Sequence, residues 1–281
     1  MDVDFLAIGH VTLDQTPTGT RPGGAAYYAA LTARRRGLSV ALLTSFGPDF
    51  PVDALPAEIQ VVNVSSDRTT TFAFGDSRAG RQLTLLSRAA DLQQHDLVDE
   101  WRQAPLVLLC PVANEVDRAL AGSFADAALG VLPQGWMRQR GARGVITPEL
   151  WDEPEVVLPQ AQLLVVSAEE IQPFEKEAIE WFQHVPLGAL TLGAQGAILF
   201  VNGDQYRVEA DPAVEVDDTG AGDVFAATML IEYDREGNAW DAAAAAACAA
   251  AASVEARGAE GIPDRPTLER RLQGYRRRQG R

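Results

Sequence analysis

One short stretch combines residue types that could bind a phosphate. The segment VDDTGAGDVFAATML, Val216 to Leu230, places Gly220, Ala221 and Gly222 directly before an apolar, helix-forming run. Residues with almost no side chain let the backbone turn sharply and approach a ligand closely. The first N–H groups of a helix lack intrahelical partners and carry part of the helix dipole, so they stabilise an anion. We therefore expect an anion hole here, in which a β-branched residue at Gly222 would both strain the turn and block a phosphate.

Asp223 follows this turn, where its negative charge would repel a bound phosphate. A carboxylate has a chemical role in such a place if it takes a proton from an attacking hydroxyl, as a general base does. An acid that only caps the helix is the alternative on local grounds. The rest of the chain has to decide between these two roles of Asp223.

The composition excludes several classes of function. The chain has 281 residues and a net charge of −15, which argues against a nucleic-acid partner because no basic face is available for phosphates. Lys176 is the sole lysine, and no P-loop motif occurs. The segment GHVTLD after the first predicted strand lacks the glycine pattern of a nicotinamide dehydrogenase. The three histidines are scattered without further ligands nearby, so the sequence does not indicate a zinc site.

The segments at the chain start and in the Ala-rich region bear on location. The opening MDVDFLAIGH lacks the basic stretch and long apolar run of a signal peptide, and no apolar window is long enough to span a membrane. We therefore expect a cytoplasmic protein without a membrane partner. Cys110 and Cys248 lie in apolar runs and are expected to be buried thiols.

The elements that must position these residues follow an alternating pattern. Apolar or β-branched runs predict strands, namely VDFLAIG, VALLTS, IQVVNV, LVLLC, LGVLP, QLLVVS, ALTL and AILFV. Helix-like patterns lie between many of them, in GGAAYYAALTARRRG, DLVDEWRQA and FEKEAIEWFQHV. Two helices broken at DREGN and a final helix, PTLERRLQGYRRR, end the chain. The alternation predicts βαβ units and a largely parallel sheet buried on both faces.

Two segments depart from this alternation. Residues 68–87, RTTTFAFGDSRAGRQLTLLS, predict two short strands around a GDSRAG turn. Residues 12–20, TLDQTPTGT, form a second polar stretch after the first strand. We expect both segments, 12–20 and 68–87, to form a small β flap on a single α/β domain that spans residues 1–281.

Glycine and polar residues follow several of the predicted strands. They are Asp14, Gly23, Gly24, Ser167, Glu170, Thr191, Gly193 and Gly196. In doubly wound sheets, ligands bind at the C-terminal ends of the strands, where loops converge. These residues are therefore expected to surround one ligand site.

Order and spacing of these motifs resemble the ribokinase-like (PfkB) carbohydrate kinase family over essentially the whole chain. The family signature D-T-x-G-A-G-D is similar to Asp217 to Asp223, the N-terminal Gly-Gly to Gly23-Gly24, and the T-x-G-x-x-G nucleotide loop to Thr191 to Gly196. The first motif is the specific one. The segments GPDF, RTTTF and QGWMR are similar to the short myo-inositol kinase-like branch of the family.

The resemblance implies a fold and an activity. The fold would be a three-layer α/β/α, doubly wound, largely parallel sheet with a small β lid. The activity would be ATP-dependent phosphorylation of a hydroxyl on a sugar, nucleoside or cyclitol, with Mg²⁺. Asp223 would be the base, and the backbone of Gly220, Ala221 and Gly222 would hold the transferring phosphoryl group.

The resemblance also implies the remaining site residues. Substrate would be bound by Asp14, Gly23, Gly24, Tyr28, Gln134 and Arg138, the last two at the mouth of the pocket. The nucleotide would be bound by Thr191, Gly193, Gly196 and the Ala-rich helix near Cys248. Glu170 and Ser167 would order magnesium indirectly, through water.

Three departures from the family pattern leave alternatives open. Asp218 replaces the signature Thr, Ser167 replaces an Asn, and Tyr28 stands where ribokinases have an Asn that contacts the sugar. The last change argues against ribose and favours a cyclitol. A sugar or nucleoside kinase of the same family and a catalytically impaired nucleotide-binding regulatory protein are the alternatives. The family also allows a homodimer through the lid.

The charged residues of the substrate-side segments favour a neutral acceptor. These segments contain Arg21, Arg68, Arg81 and Arg138 but no lysine, which is little for clamping a sugar phosphate. A neutral polyol needs carboxylate and amide partners for its hydroxyls, which Asp14 and Gln134 would supply, and an apolar face such as Tyr28. We therefore expect an inositol-type cyclitol as acceptor.

Overall fold

The computed structural model describes residues 2–17, 19–77 and 80–280. Within these ranges the strands are β1 (Phe5–Ile8), β2 (Thr12–Thr16), β3 (Gly19–Gly23), β4 (Val40–Phe46), β5 (Gln60–Ser65), β6 (Thr70–Ser77), β7 (Gly80–Ser87), β8 (Leu106–Leu109), β9 (Ala128–Val131), β10 (Arg138–Arg140), β11 (Ile146–Pro148), β12 (Leu163–Ser167), β13 (Leu187–Thr191), β14 (Ala197–Val201) and β15 (Asp204–Val208). The α-helices are α1 (Ala25–Arg35), α2 (Pro154–Val157), α3 (Ala168–Ile171), α4 (Glu175–Trp181), α5 (Ala221–Glu236), α6 (Ala239–Ser253) and α7 (Arg265–Arg278).

A nine-stranded sheet forms the centre of the described chain, in the order β15-β14-β13-β12-β9-β8-β1-β4-β5. The strands from β13 to β5 run parallel, and β14 and β15 are antiparallel additions at one edge. The eight strands predicted from apolar runs are all present. The ninth, β15, was missed because its sequence DQYRV is polar and largely exposed at the sheet edge.

The two faces of the sheet carry separate apolar cores. Along β1, Phe5 and Ala7 contribute to one core while Leu6 and Ile8 contribute to the other, as the alternation of side chains in a strand requires. The first core includes α1, α5 and α6, and the second includes four tryptophans, Trp101, Trp136, Trp151 and Trp181. The structure therefore confirms the three-layer α/β/α prediction.

One predicted helix is wrong. The segment DLVDEWRQA forms only a short 3₁₀ helix, Asp99–Gln103, before β8 begins at Leu106. Pro105 follows this segment, and a proline disfavours the helical conformation of the residue before it. Trp101 is buried in the second core, so its packing there, and not a helical pattern of apolar residues, determines the conformation of this segment.

The two flap segments, with the first extended from residue 20 to Gly23, form a second sheet of four strands, in the order β3-β2-β6-β7. We call this sheet the lid. β2 pairs with β3 in antiparallel and with β6 in parallel register, and β6 and β7 form a hairpin. The tip of the GDSRAG turn, residues 78 and 79, lies outside the described residues. A dimer through the lid stays a prediction. In the described part of the chain, no helix is long and apolar enough to cross a membrane.

Candidate active site

A cavity of about 1190 Å³ lies between the lid and the C-terminal ends of the central strands. β2, β6 and β7 of the lid contribute to its wall, as do the ends of β12 and β13 and the helices α5 and α6. Its size exceeds that of an ordinary single-ligand pocket, so a donor and an acceptor can both be accommodated. The cavity therefore lies where the strand-end residues were expected to meet.

Asp14 marks the lid side of the cavity. One carboxylate oxygen, Oδ1, accepts a hydrogen bond of 2.9 Å from Thr12 Oγ1, and both residues line the wall. Burial raises the pKa of Asp14 above its usual value, against the lowering effect of the Thr12 hydrogen bond. Gly24 also lines the cavity, whereas Gly23 lies behind Asp14, where a Cβ would collide with the carboxylate. Gly23 therefore makes room for Asp14 instead of facing a ligand.

Tyr28 lies beneath the glycine turn. It is 1% exposed, lines the cavity, and its ring packs against Gly220, whose added Cβ would lie 2.5 Å from the ring. Gly220 has a φ of 80°, a conformation that favours glycine. Tyr28 thus supports the turn from below, and the turn depends on a glycine at position 220.

The anion hole differs in detail from its prediction. α5 begins at Ala221, and the Ala221 amide already donates to the Asp218 carbonyl over 3.2 Å. The amides of Gly222 and Asp223 lie in the first turn, where helix geometry supplies no acceptor. A Cβ on Gly222 would meet nothing within 4 Å, so the expected strain at Gly222 is wrong, and the strained position is Gly220. Gly222 therefore offers open space next to unpaired helix amides.

Asp223 lies in the first turn of α5 and faces the cavity. Burial, with the nearby charges of Glu170 and Asp14, raises the pKa of Asp223 to about 7, and Arg138 opposes the rise. A carboxyl group with a pKa near neutrality can both accept and release a proton at physiological pH. Among the described residues its carboxylate accepts no hydrogen bond from the amides of α5 and it lines the cavity, so Asp223 does not act as a helix cap.

Ser167 and Glu170 form a capping box at the start of α3. The Glu170 amide donates to Ser167 Oγ over 3.2 Å, and the Ser167 amide donates to Glu170 Oε2 over 2.9 Å. The Gln134 side-chain amide donates to the other oxygen, Oε1. Ser167 therefore serves here as a helix cap, and it holds Glu170 with its carboxylate at the cavity wall.

Gln134 and Arg138 both line the cavity. Gln134 is bound to Glu170, and Arg138 Nη1 donates to the Val112 carbonyl over 2.9 Å. The Arg138 guanidinium lies 5.4 Å from the centre of the Phe72 ring of the lid. Burial lowers the pKa of Arg138, while the charges of Glu170 and Asp223 raise it. Both side chains thus reach the cavity from the segment between β9 and β10, and their position at its mouth stays a prediction.

The predicted nucleotide loop follows β13. Thr191, Gly193 and Gly196 all line the cavity, and the two glycines have φ values of 56° and 88°. A Cβ on Gly196 would collide with the Val208 carbonyl of β15, so the edge strands approach this loop closely. The loop therefore lies in the half of the cavity opposite the lid.

The Ala-rich helix α6 borders the same half, but not through Cys248. The cavity-facing residues are Ala247, Ala250, Ala251 and Val254, which share one helix face. Cys248 is fully buried in the core, and burial raises the pKa of its thiol to about 12. The prediction for Cys248 is wrong because the residue lies one position, about 100° of helix rotation, away from that face.

The sequence patterns did not identify several residues of the site. Thr12, Phe72, Phe74 and Leu83 line the lid side of the cavity, and Arg21 of the lid binds Asp217. The alternation of Thr and Phe in the flap could have predicted that Phe72 and Phe74 face the site, because one face of a lid strand must cover it. The pairing of Arg21 with Asp217 spans 196 positions and leaves no local trace.

Comparisons with known proteins agree with this geometry. The family model described as pfkB family carbohydrate kinase matches residues 3–265. A cytidine kinase of Thermococcus kodakarensis is 25% identical over 251 residues, which cover 83% of this chain and 89% of the relative.

Solved structures share the fold over nearly the whole chain. One is a pyrophosphate-dependent myo-inositol-1 kinase converted into a myo-inositol-3 kinase, with a TM-score of 0.78, 20% identity, and coverage of 96% of this chain and 98% of that chain. Another is the ribokinase of Thermotoga maritima, with a TM-score of 0.74, 20% identity, and coverage of 96% and 99%. The chain therefore belongs to the PfkB family of carbohydrate kinases, which are phosphotransferases with hydroxyl acceptors.

Proposed function

We propose that this protein transfers the γ-phosphoryl group of ATP to a hydroxyl of a small neutral polyol, with an inositol-type cyclitol as the first candidate. The observation that carries the proposal is the place of Asp223. It lies in the first turn of α5, beside helix amides without intrahelical acceptors and in the cavity that Asp14 borders from the lid. A base and an anion hole thus adjoin at the boundary between the two halves of the cavity.

The residues divide the reaction between them. Asp223 takes the proton of the acceptor hydroxyl, whose oxygen then forms a bond to the γ-phosphorus while the bond to the bridging oxygen of ADP breaks. The amides of Gly222 and Asp223 stabilise the charge on the transferring group. Asp14 binds acceptor hydroxyls and orients the ring toward Asp223. The proton stays on Asp223 and passes to water once the products have left, and ADP leaves on the side of the Thr191 loop.

The carboxylates of the cavity suit a magnesium ion that accompanies the donor phosphates. Seven acidic side chains are found among the described lining residues, against a single cationic one, Arg138. No cluster of three metal-ligating side chains occurs in the described residues, so we infer indirect binding through water at Glu170, whose cap partner Ser167 fixes its orientation. When bound, the ion would offset the charge of the phosphates.

The half of the cavity opposite the lid, where the phosphoryl donor would bind, favours a nucleotide over bare pyrophosphate. We call it the donor half. We infer an apolar slot beside the Thr191 loop, between the small-residue face of α6 and the residues Ala210, Pro212 and Ala213. Asp211 within this segment is paired with Arg271 and Arg278. A planar base fits such a slot, since small side chains permit close approach. Pyrophosphate has no apolar part, and the described wall of this half carries no cationic side chain to bind its charges.

The lid side of the cavity supports two acceptor classes. A cyclitol would use Asp14 and Thr12 for its hydroxyls and Tyr28 for its ring carbons. A nucleoside is the second candidate, because Phe72, Phe74 and Leu83 form an apolar roof on which a base could stack. The 25% sequence identity with a cytidine kinase also supports a nucleoside acceptor.

A panel of acceptors decides between these classes. ADP release is measured with myo-inositol, ribose, fructose, adenosine, cytidine and fructose 6-phosphate. In a parallel series pyrophosphate replaces ATP, and the release of orthophosphate is measured. We expect myo-inositol to have the highest kcat/KM and ATP to be the better donor, since unpaired polar groups in a site can cost several orders of magnitude. A preference for cytidine would favour the second candidate, whereas ribose or fructose 6-phosphate as the best acceptor would contradict the proposal. If a folded, ATP-binding protein phosphorylates none of them, a regulatory role is favoured.

A further inference from the structure

Arg21 connects the lid to the loop that precedes the anion hole. The residue lies on β3, outside the described wall of the cavity, and binds Asp217 in the loop before α5. Nη1 donates to Asp217 Oδ2, and Nη2 donates to Asp217 Oδ1 over 3.2 Å. The same Nη2 also donates to Thr219 Oγ1 over 2.8 Å. The planar guanidinium therefore holds the carboxylate and the hydroxyl of one loop together.

The other bonds of Asp217 run away from the lid. Oδ2 accepts from the Gly258 amide over 2.9 Å, and Oδ1 accepts from the Thr219 amide over 3.1 Å. The Asp217 amide donates to the Val254 carbonyl at the end of α6 over 3.1 Å. The loop is thus anchored to the helical layer on one side and to Arg21 on the other.

The same piece of the lid also carries the acceptor-side carboxylate. Asp14 and Arg21 are directly opposite partners in the antiparallel pair β2–β3, so their side chains share one face of the lid. Asp14 lines the cavity, and Arg21 reaches the loop that ends at Gly220 and the start of α5. A displacement of this hairpin would therefore move both groups at once.

We propose that Arg21 is a positioning residue for phosphoryl transfer, which fixes the anion-hole loop through Asp217 and Thr219 in register with the acceptor bound at Asp14. This inference rests on the proposed function, because it takes the start of α5 as the phosphate site. The donor phosphate and the acceptor hydroxyl must be aligned to within about half an ångström. A rigid connection between the anion-hole loop and the lid strand that carries Asp14 supplies that alignment.

The charges around the pair support this role. Side chains of Arg21 and Asp217 are 29% and 12% exposed, so the pair is partly shielded from water. Burial alone would raise the pKa of Asp217, but the hydrogen bonds from Arg21, Gly258 and Thr219 lower it well below its usual range. Arg21 Nε and Tyr28 Oη are buried without a hydrogen-bond partner among the described residues. The guanidinium is therefore held by its two terminal nitrogens, which a lysine could not imitate with one ammonium group.

The test compares steady-state kinetics of Arg21→Met, Arg21→Lys and Asp217→Asn with the wild type, using the best acceptor of the panel and normalising kcat to the folded fraction from circular dichroism. Arg21→Met keeps the apolar stem and removes the donors. We expect kcat to fall about 10- to 100-fold, the cost of a misplacement near 1 Å, and the KM for ATP to rise. Arg21→Lys should recover part of kcat. The double variant Arg21→Met with Asp217→Asn is measured as well, and it should be no slower than Asp217→Asn alone, because both changes break one connection.

Arg34→Ala is the matched control. Arg34 forms a more exposed ion pair with Glu58 over 3.3 Å, outside the cavity wall, so its loss should leave kcat and both KM values unchanged. A normalised kcat of Arg21→Met within twofold of the wild type would overturn the inference, whether or not its melting temperature falls. Additive losses in the double variant would also overturn it.

The outcome can be separated from a failure of the proposed function. If Asp223→Asn keeps wild-type turnover, the assignment of the base is wrong. If Asp223→Asn is inactive while Arg21→Met turns over normally, the base stands and the connection through Arg21 alone is wrong.

Discussion

At the scale of single residues, the charge of Asp223 is the decisive quantity. Its raised pKa of about 7 results first from burial and then from Glu170, with Asp14 adding to the effect and Arg138 reducing it. Arg138, the single arginine among the described lining residues, therefore keeps Asp223 available as a base near neutral pH. Arg138 was expected to contact the acceptor. Its guanidinium lies 5.4 Å from the centre of the Phe72 ring, and its charge lowers the pKa of Asp223.

The first prediction concerns pH. A base acts in its deprotonated form, so kcat/KM should rise with pH through about 7 and then level off, when both substrates are kept well below their KM values. Arg138→Met removes the charge that lowers the pKa of Asp223, and the inflection should move up by roughly one pH unit. ATP also titrates, but its inflection is common to both proteins. An inflection that does not move in Arg138→Met would contradict the role of Arg138.

At the scale of elements, the start of α5 separates two roles of glycine. Gly220 is held at φ 80° against the Tyr28 ring, whereas Gly222 faces open space. We predict that Gly222→Ala melts like the wild type but loses phosphoryl transfer at least ~10-fold, because its methyl group occupies the place of the phosphate. Gly220→Ala should lower the melting temperature as well, since the turn becomes strained. Melting curves and kcat of both variants are the measurement, and full activity of Gly222→Ala would exclude this phosphate site.

The face of α6 permits a similar test of the donor slot. Ala250 lines the cavity, and Cys248 on the same helix lies in the core. We predict that Ala250→Leu raises the KM for ATP at least ~10-fold by filling the slot, and leaves the KM of the acceptor within about twofold. Cys248→Ala is the control and should keep both KM values. An unchanged KM for ATP in Ala250→Leu would mean that the adenine of the nucleotide does not lie against α6.

The elements also show which parts of the structure the sequence could predict. Buried parallel strands are continuous apolar runs, so eight strands of the central sheet were recognisable. The polar edge strand β15 and the 3₁₀ turn at Trp101 were not, because exposure and packing against distant residues decide them. The predicted ligand contacts of Cys248 and Gly23 were missed for a related reason. Neighbouring residues along the chain point in different directions, and a motif does not indicate which of them faces the ligand.

At the scale of the whole molecule, the site belongs to two layers that approach from opposite sides. The lid contributes Asp14 and the apolar roof, and the helical layer contributes the start of α5 and the face of α6. Motif order predicted that these parts meet. The sequence did not reveal how they are held together, because the bond between Arg21 and Asp217 depends on the register of two distant segments.

The composition has its physical meaning at this scale too. The chain is strongly acidic, and the described cavity wall repeats this bias with seven acids and one arginine. Such a wall repels an unaccompanied polyphosphate and admits one whose charge is offset by a cation. The donor is therefore expected to enter as its magnesium complex, as the proposed function requires.

The account depends most on Asp223 as the base, and one comparison tests it directly. ATP affinity by calorimetry and kcat with the best acceptor are measured for the wild type and for Asp223→Asn, with circular dichroism to establish the fold. We predict that Asp223→Asn is folded, binds ATP at least as tightly because a repelling charge is removed, and has a kcat lower by at least ~10²-fold. A folded Asp223→Asn protein that turns over like the wild type would contradict the account.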